Sequence, residues 1–379
     1  MKFIHLSDLH IGKRVNEYSM LEDQEYILRK IINIIDGINP DGVIIAGDVY
    51  DKSVPSAEAV TLFDDFLVKL SERGLYVFVI SGNHDSPERI AFGRRLMKQS
   101  RIYMSPVYDG SLTPVTLEDE YGKINIWMLP FIKPVHVRKF DEEAEICSYT
   151  DAIRNVTDKL ELNTAERNIM VTHQFVTGAE RTASEEISVG GSDNVDVSVF
   201  DGFDYTALGH IHRPQNCGSE KVRYSGTPLK YSFSEAKDKK SVTVVELKEK
   251  GNISVDTVPL VPLRDMVEIR GKYDEIMMRD FYKDTNYQED YTHIILTDED
   301  DIPDASGKLR TVYRNLMKID YDNVRTRSIG SVGSAENVEQ KSPYELFAEF
   351  YEKQNNQPMN ENQSEFIKAL IEEIWEDSI

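Results

Sequence analysis

The 379-residue sequence predicts an α/β fold: a sheet sandwich flanked by helices over residues 1–260, then a small α+β cap over 264–325 and two C-terminal helices. Three observations lead there. Strand-length apolar runs alternate with helical patterns through most of the first 260 residues, as βαβ units do. From about 220 to 260 the pattern changes to short strands without intervening helices. A glycine- and serine-rich stretch then sets the last residues apart.

The elements follow in order. The first strand is Phe3 to Leu6, followed by a helical pattern near 18–37 and a strand from Val43 to Ala46. The next helix, 56–73, opens with Pro55 and Ser56 and stops at Gly74, which are start and stop signals. A strand from Tyr76 to Ile80 leads to a helical pattern near 87–99. Further buried strands are Ile169 to Val171 and Tyr205 to Leu208. Four short runs, Lys221–Tyr224, Leu229–Phe233, Ser241–Glu246 and Ile253–Pro259, are expected to pair antiparallel. The cap offers a strand at Met266–Arg270, a helix at Asp274–Tyr282, a strand at Thr292–Leu296, a short helix and a strand at Leu316–Tyr321.

Residues 326–341 contain Ser328, Gly330, Ser331, Gly333 and Ser334 and read as a flexible linker. Beyond it, Ser342-Pro343-Tyr344-Glu345 is a capping box with proline at the first helical position. Phe347, Phe350 and Tyr351 form one apolar stripe, and Phe366, Ile367, Leu370, Ile371, Ile374 and Trp375 form another. Two amphipathic helices in 342–379 behind a tether are expected to dock on a partner; packing back on the main body is the alternative.

Composition bounds the function. No apolar stretch reaches the roughly 18 residues of a membrane span, so no membrane partner is expected. Met1 leads straight into a strand, which argues against a signal peptide. Cys147 and Cys217 lack CxxC spacing, which fits a reducing cytoplasm and excludes a cysteine-rich zinc site. Net charge is 44 − 66 = −22, which by itself argues against nucleic acid. Nine acids against two lysines fall in 342–379, however. Lys13, Arg14, Arg89, Arg94, Arg95 and Lys98 flank the motifs described next and are placed to track a phosphate backbone.

Five short segments each follow a strand: Asp8-Leu9-His10, Gly47-Asp48, Gly82-Asn83-His84-Asp85, Thr172-His173 and Gly209-His210-Ile211-His212. Strand ends are where α/β sheets collect ligands. Any one segment is an ordinary turn. Together they hold five of the eight histidines and point to a shared metal centre. Two divalent ions about 3.5–4 Å apart are a recurrent device for splitting phosphate esters. Asp48 is the natural bridge between them, and Asp8 with His10, and His210 with His212, alternate so that each pair faces one side. With Asn83 and His173 that makes seven ligands. Two carboxylates leave two such ions with an excess of about +2, which attracts a phosphate and acidifies a water. His84, beside Asn83, is placed to protonate the leaving oxygen.

The ordered blocks resemble the calcineurin-like metallophosphoesterase family, whose pattern is Asp-x-His, Gly-Asp, Gly-Asn-His-Asp/Glu, His and Gly-His-x-His. The resemblance implies one metal on Asp8, His10, Asp48 and His212, a second on Asp48, Asn83, His173 and His210, and manganese as the activating ion. A narrower likeness is to the SbcD family of nuclease subunits. It is carried by Ile4 to Gly12, Ala46 to Asp51, Ser81 to Ser86, Tyr205 to His212 and Gly226-Thr227-Pro228-Leu229. In archaeal and eukaryotic relatives a histidine stands where Asp51 is here, so Asp51 favours the bacterial branch and is a second candidate catalytic residue beside His84. The likeness implies a DNA nuclease, acting 3′-to-5′ on duplex ends and as an endonuclease on single strands and hairpins. It also implies an SbcC ATPase partner with a coiled coil, and a homodimer built from helices 56–73 and 87–99 using Leu62, Phe63, Phe66, Leu67, Ile90, Phe92 and Leu96. Two other readings remain open: a phosphomonoesterase or cyclic-nucleotide phosphodiesterase on the same core, and a scaffold with structural metals.

Overall fold

A computed structural model describes residues 1–180 and 194–323, together with 347, 348, 351, 359, 360, 362–367 and 370. The linker and most of the two C-terminal helices expected in 326–379 lie outside the described residues. The chain separates into two compact units, Met1–Ile295 with Ile302–Asp320, and Leu296–Asp301 with Tyr321–Ile379.

In the first unit two six-stranded sheets lie face to face. One runs in the order Ile253–Pro259, Ser241–Leu247, Lys2–Leu6, Gly42–Ala46, Tyr76–Ile80 and Ile102–Met104. Its last four strands are parallel, and Ser241–Leu247 is antiparallel to both neighbours. The other runs Gln215–Cys217, Ser219–Tyr224, Tyr205–Gly209, Arg167–His173, Gly122–Leu129 and Val115–Asp119, with a parallel centre. Alternate side chains fill two layers, the period-2 consequence of the strand backbone. Phe3, Ile44, Phe78 and Ile80 meet Ile126, Ile169, Val171 and Ala207 between the sheets. Ile4, Val43, Ile45 and Val77 face outward onto helices Leu21–Ile38 and Ala57–Glu72. Strands covered on both faces explain the unbroken apolar runs.

Several expectations need correction. Ser219–Tyr224 pairs parallel with Tyr205–Gly209 and antiparallel only with Gln215–Cys217. Leu229–Phe233 is not a strand: the Ser232 hydroxyl accepts the Ser234 N–H at 3.2 Å and closes a 3₁₀ turn, Phe233–Glu235, in place of a ladder. The helix near 87–99 is broken into Pro87–Ile90 and Arg94–Met97 by Gly93 at φ +71°. The helix expected at Asp274–Tyr282 is two single turns, Tyr273–Ile276 and Arg279–Tyr282, split at Met278, whose ψ is 133°. The hairpin Val115–Asp119/Gly122–Leu129 is an addition to the elements expected from the sequence.

Strands Met266–Gly271, Tyr291–Leu296 and Asn315–Tyr321 form a three-stranded sheet. Within the first unit it is closely joined to the sandwich. Met266 and Tyr291 share a core with Ile27 and Ile31. Buried Asp23 accepts from the Tyr291 hydroxyl at 2.7 Å and pairs with Arg264 at 2.9 Å. Of the side chains expected to face a second copy of the chain, Phe63, Phe66, Leu67 and Ile90 are buried in the protein's own core, whereas Phe92 (81%) and Leu96 (77%) are exposed. In the second unit Asn323 donates to the Asp298 carbonyl, and Phe347, Phe366 and Leu370 are exposed. Among the described residues no helix is long and apolar enough to cross a membrane.

Candidate metal centre

Both sheets present the carboxyl ends of their parallel strands to one edge, and all five motifs leave the sandwich there. The turns are built from unusual backbone. Asp8 (φ +53°), His10 (+45°), Asp48 (+49°) and His210 (+106°) occupy left-handed conformations that non-glycine residues seldom adopt. Strand alternation is therefore not what aligns Asp8 with His10 or His210 with His212, since the strands end at Leu6 and Gly209. Hydrogen bonds between loops hold the turns. Asp8 N–H donates to the Gly47 carbonyl, and His10 N–H to the Asp48 carbonyl, each at 3.0 Å. Gly209 must be glycine, because a Cβ there would run into the Ala46 carbonyl oxygen.

The seven expected ligand side chains converge. His10 Nε2 and His212 Nε2 lie 3.1 Å apart, with Asp48 Oδ2 3.7 Å from His10 Nε2. On the other side His173 Nε2 is 3.0 Å from Asn83 Oδ1, 3.3 Å from Asp48 Oδ2 and 4.0 Å from Asp8 Oδ1. His210 Nδ1 is 2.9 Å from the same Asn83 oxygen. Asp8, His10 and His212 form one group with donor atoms close enough to share an ion, and Asp8, Asp48 and His173 form another. Asp8 is common to both groups, and Asp48 Oδ2, in the second, stands between His173 Nε2 and His10 Nε2 of the first, at 3.3 and 3.7 Å. His10, Asp48 and His84 form a third such group, so His84 stands at the same edge as the ligands.

The donor set fits divalent cations. Two imidazole nitrogens each about 2.1 Å from one ion and near a right angle would stand about 3 Å apart, which is the His10–His212 spacing. His173 donates Nδ1–H to the Ala46 carbonyl at 2.8 Å, which leaves Nε2, on the side of the carboxylates, to take a proton or a cation. Neither cysteine takes part: Cys147 is exposed, and buried Cys217 belongs to the core outside the second sheet. Nitrogen and oxygen donors without sulfur suit manganese, iron or zinc.

The electrostatics ask for positive charge. Burial, reinforced by Asp48 and partly offset by His173, raises the Asp8 carboxyl to about 6. Burial pushes Asp48 upward too, but His173 and His10 hold it well below the usual carboxylate range. Burial opposes charge on His173, yet Asp48 and Asp8 outweigh it and raise that imidazole to about 9. His10 is held far below its ordinary value by burial and stays neutral. Two buried carboxylates therefore create a place where a cation is favoured.

Surrounding residues set the geometry. His84 donates Nδ1–H to the Asp51 carbonyl at 3.0 Å, and its backbone N–H donates to Asp48 Oδ1 at 2.9 Å. The Asp51 carboxylate pairs with Lys13 at 2.7 Å and lies 3.8 Å from His10 Nδ1. Three residues to which sequence reasoning assigned no role support the loops. The Asp85 carboxylate accepts from the N–H groups of Val49, Tyr50 and Gly82, at 3.1, 2.9 and 2.9 Å, tying the second motif to the third. Gln24 donates to the His10 carbonyl at 2.7 Å and accepts from Gly12 N–H at 2.9 Å. A signal for it exists in the sequence: a polar residue on the buried stripe of Leu21–Ile38. Glu235, fully buried, lies 3.6 Å from His212 Nδ1. Burial opposes its charge, but His212 and Lys240 hold it down at about 2. Arg94, Arg95 and Lys98 line a groove of about 400 Å³ with Tyr103 and Met128, to which none of the seven contributes.

Residues 1–214 match the calcineurin-like phosphoesterase family, and residues 262–355 match the type 5 capsule protein repressor C-terminal domain. The chain is 30% identical to the SbcD subunit of the SbcCD nuclease of Staphylococcus epidermidis over 376 residues, covering 98% of each chain. It is 31% identical to the corresponding SbcD protein of Staphylococcus saprophyticus, covering 100% of this chain and 99% of that one. A dimetal phosphatase from Danio rerio is 13% identical, with a TM-score of 0.40 over 69% of this chain and 99% of that one. The protein is thus a metallophosphoesterase hydrolase with parallel-centred sheets, and it belongs to the calcineurin-like phosphoesterase family and, within it, to the SbcD nuclease subunits.

Proposed function

We propose that this nuclease subunit is a manganese-dependent DNA phosphodiesterase, acting 3′-to-5′ on duplex ends and as an endonuclease on single strands and hairpins. In this reading it works with an SbcC ATPase in DNA repair and recombination in the cytoplasm. The observation that carries it is Asp48 Oδ2 lying between His10 Nε2 at 3.7 Å and His173 Nε2 at 3.3 Å, among nitrogen and oxygen donors drawn from five strand ends. Asp8, His10, Asp48 and His212 would hold one ion, and Asp48, Asn83, His173 and His210 the other. When bound, the ions would supply positive charge for the phosphate and acidify a water. The chain's own residues do the rest. The Ala46 carbonyl fixes the His173 tautomer, and the turns at Asp8 and Asp48 fix the carboxylates. His84 donates Nδ1–H to the Asp51 carbonyl and, as the imidazolium, would give its Nε2 proton to the leaving oxygen and keep the Nδ1 proton. Asp51 enters as a positioning residue, through that carbonyl and through its pair with Lys13. Residues 264–325 act as a cap that orients DNA, 326–341 as a tether and 342–379 as the segment that grips the partner's coiled coil. Exposed Phe92 and Leu96 support a homodimer contact.

Incubating the protein with manganese and either plasmid, hairpin DNA or p-nitrophenyl phosphate tests the reading. Manganese-dependent cutting of the DNA substrates is expected. Turnover of p-nitrophenyl phosphate with both DNA substrates intact would point to a phosphomonoesterase and overturn it.

A further inference from the structure

We propose that Glu235, held by Lys240, is a positioning residue for His212: its carboxylate orients the ring, fixes the tautomer and so strengthens Nε2 as a donor to a bound cation. The inference rests on the metal-centre reading above and deepens it. Four Nε2-directed imidazoles have a defined Nδ1 neighbour, and these differ: His10 Nδ1 lies 3.8 Å from the Asp51 carboxylate, which Lys13 already pairs at 2.7 Å. His173 and His84 face neutral backbone carbonyls, of Ala46 and Asp51. His212 Nδ1 faces the Glu235 carboxylate at 3.6 Å while its Nε2 points to His10. A carboxylate behind a metal-bound imidazole orients the ring and strengthens it as a donor.

The supporting contacts converge on the same residue. Lys240 Nζ donates to Glu235 Oε2 at 2.5 Å and to the His212 carbonyl at 2.9 Å, so one ammonium grips both the carboxylate and the backbone it serves. Thr227 N–H also donates to the His212 carbonyl, at 3.1 Å. Glu235 is 0% exposed and Lys240 5%. A buried ion pair is poor value for stability, since apolar residues of equal volume commonly do as well or better. Its presence against a metal-site histidine is explained if the charge acts on the imidazole. Lys240 balances the carboxylate, so the pair adds direction without changing the net charge around the phosphate.

Calorimetric titration of manganese alone into the metal-free full chain tests this, with melting temperature measured in parallel. The double variant Glu235→Gln with Lys240→Met removes both charges. Glu235→Asp keeps a carboxylate for Lys240 but withdraws it from His212 by one methylene, so it serves if the double variant does not fold. Both should weaken one of two manganese sites about 10–100-fold, leave the other unchanged and regain phosphodiester turnover at high manganese. In a His212→Ala background, Glu235→Asp should cause no further loss. Unchanged affinity at both sites in folded Glu235→Asp would overturn the proposal, as would an equal loss in the His212→Ala background. Asp48→Ala is the control. If it binds manganese as the wild type does, the metal centre itself fails; if it loses manganese while Glu235→Asp binds normally, only the role of Glu235 fails.

Discussion

Replacing Asp48 with alanine should uncouple the protein's stability from manganese. Asp48 Oδ2 lies 3.3 Å from His173 Nε2 and 3.7 Å from His10 Nε2, between those two imidazoles. Removing it takes a ligand from both proposed sites at once. Binding to the folded state alone stabilises by RT ln(1 + [L]/Kd), which is about 2.7 kcal/mol per site at a hundredfold excess over Kd. Two sites give roughly 5 kcal/mol. For a domain of about 250 residues each kcal/mol moves the melting temperature by about 2 °C, so wild type should gain about 10 °C between chelator and saturating manganese. Asp48→Ala should gain little, bind fewer ions and lose its nuclease activity. Its metal-free form also loses the His84 backbone N–H bond at 2.9 Å and the pair with His173 at 3.3 Å, so the manganese shift is read against the metal-free form of the same variant. Scanning calorimetry with and without EDTA, and metal analysis of the dialysed protein, give the result. An Asp48→Ala protein with the wild-type manganese shift and stoichiometry would refute a shared, bridging carboxylate.

Four further outcomes are expected. His84→Ala should keep its metals and DNA binding while turnover falls about 10²–10⁴-fold; loss of manganese on dialysis would make it a ligand instead. Tyr291→Phe combined with Arg264→Met strands Asp23, which is 0% exposed, and should cost about 3–5 kcal/mol in urea unfolding; a cost below about 1 kcal/mol would mean this contact does not anchor the cap. Truncation at 341 should leave manganese-dependent cutting of single strands intact and weaken association with SbcC in a pull-down, since three or four buried side chains are worth about 1.5–3 kcal/mol each; full binding by the truncated chain would favour back-packing. Phe92→Glu with Leu96→Glu should give a monomer by analytical ultracentrifugation with the melting temperature nearly unchanged, because both side chains are exposed; a persistent dimer would move the interface elsewhere.

The division between what the sequence alone determined and what needed the tertiary structure follows the range of the interactions. Strand–motif units are local. A buried strand announces itself by a run of three to five mostly apolar residues, and the chemistry sits in the few positions that follow. All five segments, and the α/β fold with its sheet sandwich, were therefore legible before any coordinates. The break at Gly93 was not, because a lone glycine in a helical pattern is usually tolerated, and only the observed φ of +71° shows that it separates Pro87–Ile90 from Arg94–Met97. Which way a strand pairs depends on a neighbour far off in sequence, so Ser219–Tyr224 was expected antiparallel and lies parallel to Tyr205–Gly209. Alignment of Asp8 with His10 comes from left-handed turns locked by the Gly47 and Asp48 carbonyls, not from the strand period that suggested it. Contacts that assign tautomers and charge to the site, Ala46 to His173, Asp51 to His84 and Glu235 with Lys240 to His212, span between 23 and 127 residues. Local pattern can name a side chain able to hold a metal; only the folded chain brings up the distant carbonyl or carboxylate that decides which of its atoms does so.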